Sequence, residues 1–161
     1  MKIETKTFGV IDIGEESPYL KQLIQVNGRS ENCGLYIAAE FSKDASSCRR
    51  IGKLIDEVDA FDARGRDILS RRLQNEDAVV VDFLDFHLEE LVDELKAKLR
   101  VSTIDRGLLL EKLDLRSLGF HLGEDGIEFW CDFSAGENFS DERLVVKFRA
   151  NGELVEVAHE S

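Results

Sequence analysis

The sequence predicts an α+β domain. Its sheet is mostly antiparallel, built from N-terminal strands and a C-terminal meander, with a helical middle segment packed on one face. Three observations carry this. The first 40 residues are rich in strand formers, the apolar period turns helical after Phe41, and strand patterning returns from Leu115 onward. Runs of strands on either side of a run of helices describe α+β rather than the strict alternation of a parallel sheet. The chain has 161 residues, one Pro and no Gly/Ser-rich tract, so it reads as a single domain without a linker.

The elements follow in order. Lys2 to Ile13 is rich in Thr, Ile and Val. Pro18, after Gly14-Glu15-Glu16-Ser17, marks a loop. Tyr19 to Val26 runs into Asn27-Gly28, a hairpin-type turn, and Leu35 to Ala39 is a short apolar strand candidate. Ser42 or Asp44 can cap the next helix, since a short oxygen side chain accepts from the free amides of a first turn. Cys48, Ile51, Ile55 and Val58 lie at spacings of 3, 4 and 3, one helical face. Phe61, Ile68, Leu69 and Leu73 continue the pattern as a second helix with Asp59 at its cap, against which Gly65 argues. Asn75-Glu76-Asp77 opens the clearest helix, with a stripe of Val80, Leu84, Leu88, Leu91 and Leu95. Its acids come early and Lys96, Lys98 and Arg100 come late, the order a helix dipole favours. A short helix is predicted over Asp105 to Leu113, then strands at about 115–122, 126–134, 143–149 and 153–160.

The C-terminal hairpins fix which side chains share a face. Read as a two-residue turn, Asn151-Gly152 sets Phe148 opposite Val155, Val146 opposite Val157 and Leu144 opposite His159. The other face then pairs Lys147 with Glu156 and Arg143 with Glu160, opposite charges across two strands. A slip of one residue would destroy both patterns. One hairpin earlier, Leu118, Phe120 and Leu122 are expected to face the core with Phe129, Cys131 and Phe133. The opposite face carries Gly119, His121, Glu128, Trp130 and Asp132. This group reads either as a binding pocket, acid/base pair or partner hot spot, or as an aromatic covering a strand glycine among ordinary charges. His121, Glu128, Trp130 and Asp132 are the candidate binding residues.

Composition bounds the function. The net charge is -12, which disfavours nucleic-acid backbones and anionic membranes and favours a basic protein partner. Lys43 to Arg72 is the exception, with 8 basic and 6 acidic residues. Its Arg49, Arg50, Arg64, Arg66, Arg71 and Arg72 either bind an anion or offset neighbouring acids. Cys33, Cys48 and Cys131 match neither a disulfide framework nor a zinc pattern, and His87, His121 and His159 fall on three separate elements. No cofactor loop, metal motif or nucleophile elbow is present, so no cofactor, metal or catalytic residue is expected. With no signal core and no membrane-length apolar run, the cytosol follows by elimination.

One resemblance adds to this. Asp132-Phe133-Ser134, Ser140-Asp141, Leu144 to Phe148, Gly152 and the terminal Glu160-Ser161 resemble the end of a bacterial family of small acidic proteins. That family is the domain of unknown function number two-thousand-and-four. Phe86 to Leu91 looks like its central helix and Phe8-Gly9 like its opening strand. The resemblance implies a bacterial cytosolic α+β protein and brings no activity. It maps the family's recurring polar positions to His87, Asp132, Asp141 and Glu160. The leading expectation is therefore a non-enzymatic interaction module, monomer or homodimer, of which an immunity-type or inhibitor-like protein is one form. The rival is a small-ligand binder or enzyme using the Trp130 face.

Overall fold

A computed structural model describes all 161 residues. A small hairpin comes first, β1 (Lys2–Thr5) with β2 (Gly9–Asp12). β3 (Tyr19–Val26) and β4 (Arg29–Ile37) form a second hairpin. Five helices follow: α1 (Ala45–Asp56), α2 (Val58–Gln74), α3 (Ala78–Glu90), α4 (Val92–Leu99) and α5 (Arg106–Glu111). The last strands are β5 (Asp114–Gly123), β6 (Gly126–Ser134), β7 (Arg143–Arg149) and β8 (Leu154–Glu160). β3 to β8 make one six-stranded sheet in sequence order. All neighbours are antiparallel except β4 and β5, which run parallel because the helical segment returns the chain to the same end of the sheet. The predicted fold class holds, with that one parallel pair inside it.

The helices cover one face of the sheet. Asp44 caps α1 by accepting from the amides of Ser46 and Ser47, both at 3.1 Å. Glu57 rather than Asp59 precedes α2, and its side chain caps nothing. Gly65 does not interrupt α2. A Cβ there would lie 3.0 Å from the Phe133 ring, so the missing side chain lets the helix rest directly on β6. Phe61 of α2 meets Phe129 edge-on at 4.5 Å. The predicted helix after Asp77 is two helices. The backbone departs from helical geometry at Leu91 (φ -132°, ψ 22°), and α4 carries the stripe onward to buried Leu95. The β1–β2 hairpin docks on α1, and Ile3, Phe8, Ile11 and Ile13 join the core. All three cysteines are buried and free, and burial pushes the Cys33 thiol up to about 12, so they are poor nucleophiles. No helix is long and apolar enough to cross a membrane.

The C-terminal register follows the prediction with two corrections. Arg143–Glu160, Leu144–His159, Val146–Val157 and Lys147–Glu156 pair as expected, but Phe148 faces Leu154 instead of Val155. The turn is longer than two residues. Gly152 alone takes a positive φ (88°), its amide donates to Arg149, and the extra residue is absorbed as a bulge at Lys147/Phe148. Leu122, expected in the core, is 56% exposed because β5 runs past the helices there.

Candidate functional site

No helix packs on the other face of the sheet, where Tyr19 and Leu23 are exposed, Tyr36, Trp130 and Lys147 are half-buried and Asp132 and Val145 are buried. The strand register places Tyr19, Tyr36, Gly119, Trp130, Lys147 and Glu156 in one row across all six strands. The chain's two Tyr and single Trp thus share this row, while its ten Phe do not. Two glycines make room for the rings. A Cβ on Gly119 would fall 1.9 Å from the Trp130 ring, and one on Gly34 would fall 2.7 Å from the Tyr19 hydroxyl. Tyr36 leans toward Trp130 at 6.1 Å between ring centres.

The four sequence candidates all lie on this face but split into two groups. His121 stands edge-on to Trp130 at 5.5 Å, and its Nε2 is 3.1 Å from Glu128 Oε2. Asp132 belongs to the next row with Ser117 and Val145. Ser117 Oγ donates to Asp132 Oδ2 at 2.5 Å, Arg143 Nε lies 3.8 Å away, and Oδ1 is buried without a partner. Burial raises the Asp132 pKa above the usual carboxylate range, against the pull of the Ser117 hydrogen bond. Cavities of about 770, 340, 450 and 420 Å³ open elsewhere, and none is lined by these four residues. The charges of this face are largely committed to each other. Lys147 pairs with Glu156 at 3.0 Å, Arg143 with Glu160 at 3.7 Å, Arg149 with Glu153 at 3.0 Å and with Asp125 at 3.4 Å, and Lys21 with Glu137.

The polar positions suggested by the resemblance do not form one site. Asp132 and Glu160 meet through Arg143, and Asp141 is exposed in the β6–β7 loop, where its carbonyl accepts from Arg116 at 3.4 Å. His87, a residue of α3, lies on the opposite side of the sheet and is fully buried. Its Nδ1 is 2.8 Å from the Phe83 carbonyl and so carries the proton, which leaves Nε2 as a buried lone pair with no partner. Burial lowers the His87 pKa. His159 packs against Phe83 nearby and binds Glu142. No three His, Cys, Asp or Glu side chains converge as a metal-holding group.

Two features were missed from the sequence. The first is a buried ion cluster beside the 770 Å³ cavity, which Arg29, Glu31 and Arg66 help to line. Asp62 is wholly buried and accepts from Asn27 Nδ2 (3.0 Å), Arg29 Nη2 (2.7 Å) and Arg66 Nε (2.9 Å). It ties the β3–β4 turn to α2. Of the six helical arginines, Arg66, Arg71 and Arg72 pair with Asp62, Asp67 and Asp77, as the offset reading expects, while Arg49, Arg50 and Arg64 make no ion pair, Arg50 donating to the Ala150 carbonyl and Arg64 lying over Phe148.

The second is a one-sign surface. Residues 75–95 hold eight carboxylates and no Lys or Arg. Only Asp77 and Asp85 are paired, with Arg72 and Arg106. Glu76, Asp82, Glu89, Glu90, Asp93 and Glu94 are exposed and make no ion pair. Phe86 lies among them, 41% exposed, with its ring edge-on to that of buried His87 at 5.1 Å. The signal was available as a 21-residue window without a cation.

No family model matches the chain, and neither a curated protein nor a solved structure matches it.

Proposed function

We infer that this protein is a non-enzymatic interaction module whose α3–α4 face takes a basic segment of a partner protein. The unpaired carboxylates around exposed Phe86 carry this reading. Unpaired acids of one sign repel each other in the free protein and are relieved by a cationic partner, and an exposed ring among them supplies an apolar anchor. One concrete form is an immunity-type or inhibitor-like protein that neutralises a basic toxin or nuclease in the bacterial cytosol. A random peptide display library tests the binding class directly. The recovered peptides should be rich in Lys and Arg around an apolar residue and should dissociate as salt rises. They should bind the Glu89→Lys/Glu90→Lys variant poorly and Phe86→Ala more weakly. Peptides without cationic bias, or binding indifferent to both variants, would sink the reading.

A second reading takes the His121, Glu128, Trp130 and Asp132 face as a small-ligand site. It rests on the unpartnered, buried Oδ1 of Asp132. A fragment set screened by Trp130 emission reads it, and hits that survive Asp132→Asn and His121→Ala unchanged count against it.

A further inference from the structure

The two edges of the sheet differ. β8 is guarded: it carries Glu156 and Glu160 on its outer side, sits beside a bulge, and has Phe83 of α3 against His159. β3 has no bulge and one charge to the two of β8. Tyr-Leu-Lys-Gln-Leu-Ile-Gln-Val runs eight residues without Pro or bulge. Its single charge, Lys21, is held by Glu137. Tyr19 is 62% and Leu23 65% exposed.

The backbone of this edge is also open. Asn27 and Gly28 both have positive φ (48° and 78°), and Val26 pairs with Arg29 around them. That geometry is a two-residue turn closed by a hydrogen-bonded pair. Alternation then directs the backbone groups of Val26, Ile24, Gln22 and Leu20 toward β4. Those of Gln25, Leu23, Lys21 and Tyr19 point away from it. No hydrogen bond outside the strand ladder reaches the backbone N–H or C=O of these four, and the bonds of Lys21 to Glu137 and of Gln25 to Ser30 use side chains. β4 agrees: the Ala38 amide reaches β5 at Phe120 and the Ile37 amide reaches the β3 side at Pro18.

We propose that two copies of this chain join along β3, antiparallel, so that their six-stranded sheets run on as one. An open row of strand donors and acceptors selects another strand as its occupant. The strand's own sequence fits itself. Centred on Gln22, the register sets Tyr19 of each copy across from Gln25 of the other and Lys21 across from Leu23. It uses all four free residues of each edge and opposes no like charges. A shift of two residues one way would face Lys21 with Lys21, and the other way would leave Tyr19 without a partner. The Tyr19 and Leu23 side chains lie on the same outer face, so pairing covers both. A contact of one strand and its flanking side chains falls below the roughly 1,200 Å² of a standard interface, and the dimer is weak and concentration-dependent.

Sedimentation equilibrium over a dilution series tests the association, and Leu23 variants test the register. Leu23→Lys brings lysine against Lys21 in both symmetric contacts and should weaken the dimer roughly two- to thirtyfold. Leu23→Glu brings opposite charges together and should hold the dimer at least as well as the wild type. Amide exchange gives a reading without substitution. Protection at Tyr19, Lys21, Leu23 and Gln25 should rise with concentration, while Leu20, Gln22 and Ile24 stay unchanged. A chain that remains monomeric throughout with those four amides exchanging freely overturns the proposal. So does equal weakening by both variants without the alternating protection.

Discussion

The outer face of the sheet and the α3–α4 face are both rich in carboxylates and handle them in opposite ways. On the sheet, β7 and β8 lay Arg143 and Lys147 across from Glu160 and Glu156, and Asp132 is shielded between Ser117 and Arg143. Between Glu76 and Glu94, six exposed carboxylates make no ion pair. A strand pair fixes what each side chain faces, so alternating charges neutralise across the ladder. A helix face looks outward, and its charges find partners where the sequence supplies them within about a turn or where another element brings one, as Arg106 reaches Asp85. Between Asn75 and Leu95 there is no Lys or Arg, and Lys96 and Lys98, three and four residues past Asp93 and Glu94, make no ion pair with them, Lys98 turning to Asp114 instead. Net charge therefore says little about where this protein is acidic toward a partner.

Three experiments sharpen or break this comparison. Gly119→Ala should have the largest effect. The new methyl group would overlap the Trp130 ring at 1.9 Å and force it off the sheet. A loss of about 1–3 kcal/mol in urea unfolding is expected, with a red-shifted Trp emission. Unchanged stability and emission would mean that the aromatic row is loose, and the contrast between a packed face and an open one would fail.

Acid should have the next effect, on the buried side of α3 rather than its exposed one. Buried His87 is neutral in the folded chain, and its pKa there lies below the unfolded value of 6.5. The unfolded chain therefore takes up a proton that the folded chain refuses. Above 6.5 the group has no influence on stability, and stability falls as pH drops through 6.5 toward the folded pKa. His159 and Glu142 face the same region, so the clean measurement is a difference. Urea midpoints of wild type and His87→Leu, followed from neutral to mildly acidic pH, should converge on acidification as the wild type loses its lead. Parallel curves would show that His87 is not the group responsible.

The smallest effect belongs to the acidic face. Glu89→Gln/Glu90→Gln should change folding stability by no more than about 0.5 kcal/mol, and in the stabilising direction, since like charges are removed and no pair is broken. A clear destabilisation would mean that these carboxylates are held by contacts within the chain and are not free for a partner.

Much of the fold was legible because local patterning and tertiary context agree. The Asp44 cap, the Asn27-Gly28 turn, the strand face holding Trp130 and four of the five predicted β7–β8 pairs follow from residue order alone. Where the reading failed, a long-range contact had decided the matter. Gly65 stays helical because the Phe133 ring fills the space beside it. Leu122 is exposed because no helix reaches the end of β5. His121 and Trp130 adjoin, as their alternation implies, but Asp132 turns to Ser117 and Arg143 because the β-bulge after Leu115 and the pairing with β7 bring those groups to it.

By itself the sequence determined the α+β class, the helical middle, the two sheet faces and the net charge, since each rests on periodicity or composition. Only the tertiary structure decided how charge and edge are used. The parallel β4–β5 pair joins the β3–β4 hairpin to the four-stranded β5–β8 meander and makes β3 and β8 the sheet's edges. Folding then brings Asp62 to Arg29 across the helix–sheet junction, sets Phe83 of α3 against His159 of β8 and leaves the outer backbone of β3 open. Partners in a sheet or an ion cluster are distant in sequence, and no local pattern of residues records which of them will meet.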